Sequence, residues 1–174
     1  EAAAARGFWA KDITPVLLPD GSLATTDDGP RAGVTLEGIS GMKPVFREHG
    51  TVTAANCCPL NDGAAALVIM SDTKAAELGL TPLARIVATG VSALRPEIVG
   101  LGPVGAVNRA LANAGMSIGD MDIMELNEAF AAQVVPTIDE LGIDPERVNV
   151  NGGAIALGHP FGMTGARMAT TAIH

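Results

Sequence analysis

The sequence has 174 residues, of which 48% are hydrophobic and 17% charged, so a packed core is expected rather than a disordered chain. The formal net charge of −8 argues against a nucleic-acid-binding surface, which needs clustered Lys and Arg side chains. The longest apolar run, residues 64–70, is too short to span a membrane, so no membrane partner is expected.

The first fifty residues predict a mostly irregular region. A helix-like start leads into residues 12–31, which are dense in Pro, Gly and Asp and predict loops with one short strand near residues 16–18. Over residues 35–47, apolar side chains recur at helical spacing, at Leu36, Ile39, Met42 and Phe46. This spacing predicts a helix.

The middle of the chain alternates strand-like and helix-like segments. Three segments have an apolar or β-branched composition: residues 51–54, 64–70 and 84–94. The first predicts a strand, the second a buried strand, and residues 57–63 between them a turn. Asp72 is the predicted cap of a helix over residues 74–79, which Gly79 ends.

The last third continues the alternation. Pro103 begins a predicted helix that Gly115 stops. Residues 122–126 predict a short strand, after which Asn127 caps a helix with a buried stripe of Phe130, Val134, Ile138 and Leu141. A strand then leads into a glycine-rich loop, and a helix is predicted from Gly165 onward. Strands that alternate with helices predict an α/β layered fold.

Five glycines surround one imidazole in residues 151–167, NGGAIALGHPFGMTGAR. His159 and Pro160 stand where a phosphate-binding loop would carry Lys and Ser or Thr, and no Gly-x-Gly pair indicates a dinucleotide site. Pro160 disfavours helical backbone at His159, so the imidazole is predicted on a fixed, extended loop that glycines open to a ligand. A hydrogen-bonded core histidine in a turn is the alternative, and the residues leave both open.

Asn127 and the cysteines also carry possible chemistry. Asn127 lies where a predicted strand meets a helix, so its amide either caps that helix or holds a water or an oxyanion. Cys57 or Cys58 could form a nucleophile–base pair with His159, or both could be small packing residues. Adjacent cysteines form no disulfide framework and match no zinc site, which favours a reducing cytoplasm and no bound metal.

Three segments in order, TVTAANCCPLNDGAAA, ELNEAFAAQ and NVNGGAIALGHPFGMTGAR, resemble thiolases, the acyl-CoA C-acyltransferases. The resemblance runs from about Gly7 to His174, and the Cys-Cys-Pro variant resembles thiolases of actinobacterial lipid and sterol breakdown. It implies an incomplete thiolase-like layered α-β-α-β-α fold. Residues 1–50 would belong to the loop domain that binds CoA, residues 51–80 would be the last strand and helix of the N-terminal domain, and residues 81–174 would be most of the C-terminal domain.

The same resemblance implies an enzyme that cleaves 3-oxoacyl-CoA with CoA, or condenses acetyl-CoA in reverse, without a tightly bound cofactor. His159 would activate a cysteine nucleophile and donate to the thioester oxygen, and Asn127 would position the water that completes the oxyanion hole. The nucleophile would lie upstream of Glu1 and a second, acid/base cysteine downstream of His174. Cys57 and Cys58 would then have neither role, and the 174 residues alone would be inactive.

The implied ligand contacts are with CoA. Arg31 would approach its nucleotide end, and five positions would line the pantetheine tunnel: Phe46, Ala54, Cys58, Ala129 and Phe130. The implied assembly is a cytoplasmic homodimer or homotetramer of fatty acid β-oxidation, with acyl-CoA and CoA as partners. A thiolase-like protein that binds acyl-CoA or lipid without catalysis is the alternative. A ketoacyl synthase is disfavoured because NEAF is present at residues 127–130.

Overall fold

The computed structural model describes residues 1–174 and contains mainly helices joined by extended segments. The α-helices are α1 (Ala2–Ala5), α2 (Leu36–Ser40), α3 (Asp72–Glu77), α4 (Gly102–Ala114), α5 (Ala131–Leu141), α6 (Ala154–Leu157) and α7 (Phe161–Ile173). Short 3-10 helices cover Phe8–Ala10, Pro96–Leu101, Ile118–Asp120 and Pro145–Arg147. Strands β1 (Val16–Leu17) and β2 (Leu23–Ala24) pair antiparallel, with Val16 opposite Ala24.

The N-terminal region contains a hairpin and a short helix. The strand predicted near residues 16–18 is confirmed as β1, but its partner β2 was not predicted. The helix predicted over residues 35–47 is confirmed only as α2, which Thr35 caps by accepting from the Gly38 N–H at 3.1 Å. The prediction for the rest is wrong because Pro44 disfavours helical backbone in the residue before it.

Helices α3 and α4 follow their predicted positions closely. The cap of α3 is Ser71, whose Oγ accepts from the Lys74 N–H at 3.1 Å, so the prediction of Asp72 as the cap is wrong by one residue. Helix α4 is confirmed, with Pro103 in its first turn and Gly115 in the left-handed conformation at its end. Such endings are encoded locally, because glycine adopts positive φ without a steric penalty.

Helix α5 begins later than predicted. Its N-cap is Phe130, with extended φ of −147°, so the prediction that Asn127 caps this helix is wrong. Backbone pairing with an earlier segment keeps residues 129–131 extended: Cys58 N–H donates to the Ala129 oxygen, and Ala131 N–H donates to the Asn56 oxygen. Helix α7 begins at Phe161 rather than Gly165, because the Pro160 oxygen already accepts from residues 163 and 164.

The predicted strands are largely unpaired. The strand predicted at residues 51–54 is wrong, because these residues pair with no strand and Ala54 already begins a turn. Residues 122–126 contribute one parallel bridge, between Met124 and Val148. Residues 64–70 and 84–94 pair with no other strand, and Val68 is 85% exposed, so the prediction of a buried strand at residues 64–70 is wrong for this chain. The physical reason is that sheet strands need neighbours, and no segment of these 174 residues lies in pairing position.

The accessible surface confirms that much of the apolar chain is uncovered. It is 12210 Å², whereas a folded monomer of this mass should expose about 7,900 Å². The main packing lies where α4, α5 and the Pro96–Leu101 turn meet, with Val134, Thr137 and Leu141 of α5 buried. None of the helices combines the length and hydropathy needed to cross a bilayer.

We expect the isolated 174-residue polypeptide to lack cooperative unfolding. Its exposed apolar segments forgo the free energy of burial, which is about 25 cal/mol for each Å² of apolar surface. Thermal denaturation followed by circular dichroism should give a broad transition, with strong binding of the dye ANS before heating. A sharp transition from a monomer that binds no dye would contradict this expectation.

Candidate active site

His159 lies in the short non-helical link between α6 and α7. Gly158 before it has φ of 89°, and a side chain there would overlap the Asn61 amide. Asn61 Oδ1 accepts a hydrogen bond from the His159 backbone N–H at 3.1 Å. The extended loop predicted for His159 is thus present, and a hydrogen bond from the His159 backbone to the distant Asn61 holds it in place.

The imidazole of His159 is oriented by Thr164. Its Nδ1 lies 2.7 Å from Thr164 Oγ1. That hydroxyl is buried, and it donates its one hydrogen to the Pro160 oxygen at 3.1 Å. With that hydrogen directed at the Pro160 oxygen, Thr164 Oγ1 offers a lone pair to Nδ1, an arrangement that fits the tautomer with an Nδ1–H group and an unprotonated Nε2. No protein group binds Nε2, so it is available as a base.

Asn127 lies in the extended link between the Met124 bridge and α5. Its Oδ1 atom is buried and accepts no hydrogen bond from any protein group. Leaving a buried acceptor unpaired typically costs about 1–3 kcal/mol. A structural cap would have a partner, so the capping role considered for this amide has no support. A binding role for the amide fits the geometry.

The segment that carries Asn127 is held by Asn149, a residue that no pattern in the sequence had indicated. Asn149 Oδ1 accepts from the Leu126 N–H and its Nδ2 donates to the Leu126 oxygen, both at 2.8 Å. Asn149 adopts φ of 49°, a left-handed conformation that asparagine tolerates better than most residues. An Asn shortly before Gly-Gly is the local signal that could have identified it.

Glu125 and Arg167 form an ion pair between the segment before Asn127 and helix α7. Arg167 donates to Glu125 Oε2 at 3.2 Å, and both side chains are largely buried. Burial raises the pKa of Glu125 above its ordinary value, and the nearby Arg167 charge opposes that rise only in part. The pair ties the segment before Asn127 to helix α7. No group of three or more His, Cys, Asp or Glu side chains is placed to hold a metal ion.

The two cysteines contact the segment that precedes α5 and form no hydrogen bond with the His159 imidazole. Cys57 pairs with Phe130 in an antiparallel bridge, and Cys58 N–H donates to the Ala129 oxygen at 3.1 Å. Burial first, and the neighbouring Cys57 second, raise the pKa of the Cys58 thiol. A raised pKa disfavours the thiolate, which is the nucleophilic form. Neither cysteine forms a hydrogen bond with His159.

The positions expected to contact CoA are only partly brought together. The rings of Phe46 and Phe130 meet edge to face, 6.0 Å between centroids, beside a mainly apolar cavity of about 420 Å³. Ala129 and Cys58 are joined by the backbone hydrogen bond described above. Ala54 lies exposed in a turn, four residues before Cys58. Arg31 is also exposed, and it forms no hydrogen bond with any of the other expected CoA-contact residues.

Comparison with known proteins gives a consistent assignment. Residues 80–174 match the family model described as "Thiolase, C-terminal domain", and residues 1–73 match "Thiolase, N-terminal domain". The chain belongs to the thiolase family. It is 50% identical to the acetyl-CoA acetyltransferase of Cupriavidus necator, covering 100% of this chain and 45% of that protein. It is 51% identical to the 3-oxoadipyl-CoA/3-oxo-5,6-dehydrosuberyl-CoA thiolase of Escherichia coli, covering 99% and 44%.

Solved thiolase structures confirm the predicted fold class. The acetyl-CoA acetyltransferase of Bacillus anthracis matches 99% of this chain with a TM-score of 0.96 and 45% identity, over 45% of its own length. The human mitochondrial 3-ketoacyl-CoA thiolase in complex with CoA matches 99% with a TM-score of 0.91 and 41% identity, over 44%. The chain thus spans less than half the length of these thiolases. This explains why residues 64–70 and 84–94 run extended but pair with no other strand.

Proposed function

We propose that the polypeptide containing these residues is a thiolase that cleaves 3-oxoacyl-CoA with CoA, or condenses acetyl-CoA in reverse. The observation that carries the proposal is the orientation of His159. A buried hydroxyl holds Nδ1, and Nε2 is left free as a base. Relatives named as acetyl-CoA acetyltransferase and thiolase, at about half identity, support this reaction class over a purely binding role.

In the proposed first step, His159 Nε2 takes the proton from a cysteine thiol, and the thiolate attacks the substrate carbonyl carbon. The carbonyl π electrons move to the 3-oxygen and then return to re-form a carbonyl, which leaves the acyl group on the first cysteine. As the bond between the 2- and 3-carbons breaks, its electron pair passes to the 2-carbon and the thioester oxygen, where the new Nε2–H can donate to the developing charge. A second cysteine protonates the 2-carbon to give acetyl-CoA and then takes the proton of the CoA thiol, whose sulfur accepts the acyl group. The first cysteine leaves as a thiolate and regains its proton from His159. Both cysteines would come from parts of the polypeptide outside these 174 residues.

Asn127 would complete the oxyanion hole through a water molecule. Its buried Oδ1 is an acceptor, so it cannot itself stabilise an oxyanion. A water can donate one hydrogen to Oδ1 and the other to the negatively charged oxygen. One such donor contributes about 3–4 kcal/mol to lowering the barrier.

Substrate binding would use the aromatic pair at the cavity. Phe46 and Phe130 offer an apolar wall for the pantetheine arm, with Cys58, Ala54 and Ala129 beside it, and Arg31 would approach the nucleotide end of CoA. By the domain layout inferred from the resemblance, residues 1–50 would provide the loop-domain part of this tunnel, residues 51–80 the end of the N-terminal domain, and residues 81–174 the C-terminal part. We infer a cytoplasmic homodimer or homotetramer that needs no tightly bound cofactor.

The direct test is a thiolysis assay on the complete polypeptide, with 3-oxoacyl-CoAs of short, long and sterol-derived acyl groups. We expect consumption of the CoA thiol that depends on the 3-oxoacyl-CoA. The sterol-derived substrates also test the actinobacterial resemblance, which stays a prediction. Saturable acyl-CoA binding without turnover of any substrate would contradict the proposal and identify a binding protein instead.

Thr164→Val is expected to lower kcat about tenfold, because the imidazole loses the acceptor that fixes its tautomer. Thr170→Val is a matched control on the same helix. Its hydroxyl makes the same kind of bond, to the Ala166 oxygen at 3.0 Å, without contacting His159. Steady-state thiolysis should separate the two variants. Equal kcat values for both would show that Thr164 does not act through the imidazole.

A further inference from the structure

The carboxylate of Glu128 joins two segments of the candidate active site. Its Oε1 accepts from Asn149 Nδ2 at 2.6 Å, and its Oε2 accepts from the Ile155 backbone N–H at 3.1 Å. Glu128 directly follows Asn127, and Ile155 lies in α6, which ends at the link carrying His159. One side chain thus connects the Asn127 segment with the His159 segment by direct hydrogen bonds.

The backbone opposite Glu128 is shaped to admit the carboxylate. At Gly153, an added Cβ would overlap all three terminal atoms of the Glu128 side chain. The glycine therefore allows the carboxylate to reach the N–H of Ile155 two residues later. Asn149, the other donor, is itself fixed by its two hydrogen bonds to Leu126. Both oxygens of the carboxylate are therefore paired, one with Asn149 and one with the Ile155 N–H.

We propose that Glu128 is a positioning residue, which sets where Asn127 stands relative to the His159 loop and thereby fixes the width of the oxyanion hole. The inference rests on the proposed thiolase function but assigns a role to a residue with no part in the chemical steps. Charge-assisted hydrogen bonds such as these are shorter and stronger than neutral ones, which suits a role in fixing geometry. A displacement of about 1 Å at such a site can lower the rate about a hundredfold.

The test uses Glu128→Gln in the complete polypeptide, because an amide keeps the volume but places an NH2 group against one of the two donors. We expect kcat for thiolysis to fall between about 10- and 100-fold, with KM for the acyl-CoA unchanged within about twofold. Glu140→Gln on the exposed side of α5 removes a carboxylate that makes no hydrogen bond, and it should leave both constants unchanged.

A double-mutant cycle separates positioning from a general structural role. If Glu128 acts through Asn127, Glu128→Gln should lose most of its effect on kcat once Asn127 is replaced with Ala. If Glu128→Gln lowers kcat by the same factor with Asn127 present and with Asn127 replaced by Ala, the proposal is overturned. A lower Tm with unchanged kcat would also overturn it, because that result describes a residue needed only for stability.

A second variant covers the case in which Glu128→Gln does not fold. Gly153→Ala displaces the carboxylate without changing its chemistry, and it should reproduce the selective loss of kcat. If neither variant folds, the carboxylate is structural and the proposal fails. If the unmodified protein catalyses thiolysis and Glu128→Gln does so equally well, only the positioning role is refuted. If the unmodified protein does not catalyse thiolysis, the proposed function itself is refuted.

Discussion

His159→Ala is expected to lower kcat for thiolysis by the complete polypeptide by about 10³-fold or more. The variant removes the base that generates the thiolate and the donor that faces the thioester oxygen. Binding of CoA should persist, because the apolar wall at Phe46 and Phe130 does not depend on the imidazole. Stopped-flow or steady-state thiolysis, together with calorimetric titration of CoA, measures both quantities.

His49→Ala is the matched control for this experiment. His49 is exposed and forms no hydrogen bond, so its removal should change neither turnover nor CoA binding. Turnover by His159→Ala close to that of the unmodified protein would refute the role of the imidazole. Loss of CoA binding in the same variant would instead indicate that His159 is a structural residue of the tunnel.

Asn127→Ala is expected to lower kcat by about 10²- to 10³-fold, the usual effect of removing one oxyanion-hole donor. The physical reason is the loss of the buried Oδ1 that would hold the bridging water. Stability should change little, since Oδ1 makes no hydrogen bond to protein that the substitution could break. Kinetics and thermal denaturation of the same preparation measure the two effects.

Asn108→Ala on the exposed side of α4 is the control, because this amide makes no hydrogen bond. It should match the unmodified protein in both kcat and Tm. If Asn127→Ala lowers Tm by many degrees and leaves kcat per folded molecule unchanged, the amide has a structural role and the oxyanion-hole assignment is wrong.

The ends of α3 and α4 were predictable to within about two residues because they depend on short-range chemistry. Pro103 in the first turn of α4 and Gly115 past its end are decided by backbone preferences within a few residues. The cap of α3 was misplaced by only one position for the same reason, since Ser71 and Asp72 are both competent caps.

The strands could not be predicted as paired or unpaired, because pairing depends on neighbours rather than on the segment itself. Residues 64–70 have the composition of a buried strand and lie exposed, since no partner lies beside them among these 174 residues. Asn127 was misjudged as a cap because a distant segment, residues 56–58, holds the chain extended up to Phe130.

In the candidate site, too, features set by local sequence were predictable and features set by distant contacts were not. His159 and Asn127 stood out through composition, position and resemblance to thiolases, although their chemistry alone left alternatives open. The residues that orient them did not stand out. Glu128 and Asn149 contact each other across 21 positions, and Asn61 contacts His159 across 98 positions, so no local pattern could reveal them.

The most direct test of the proposed oxyanion hole is a crystal structure of the complete polypeptide with a bound, unreactive acyl-CoA analogue. We expect His159 Nε2 and a water held by Asn127 Oδ1 both to lie about 2.7–3.1 Å from the thioester oxygen. A thioester oxygen that contacts neither group, or an imidazole and an amide that face different atoms of the ligand, would contradict the proposal.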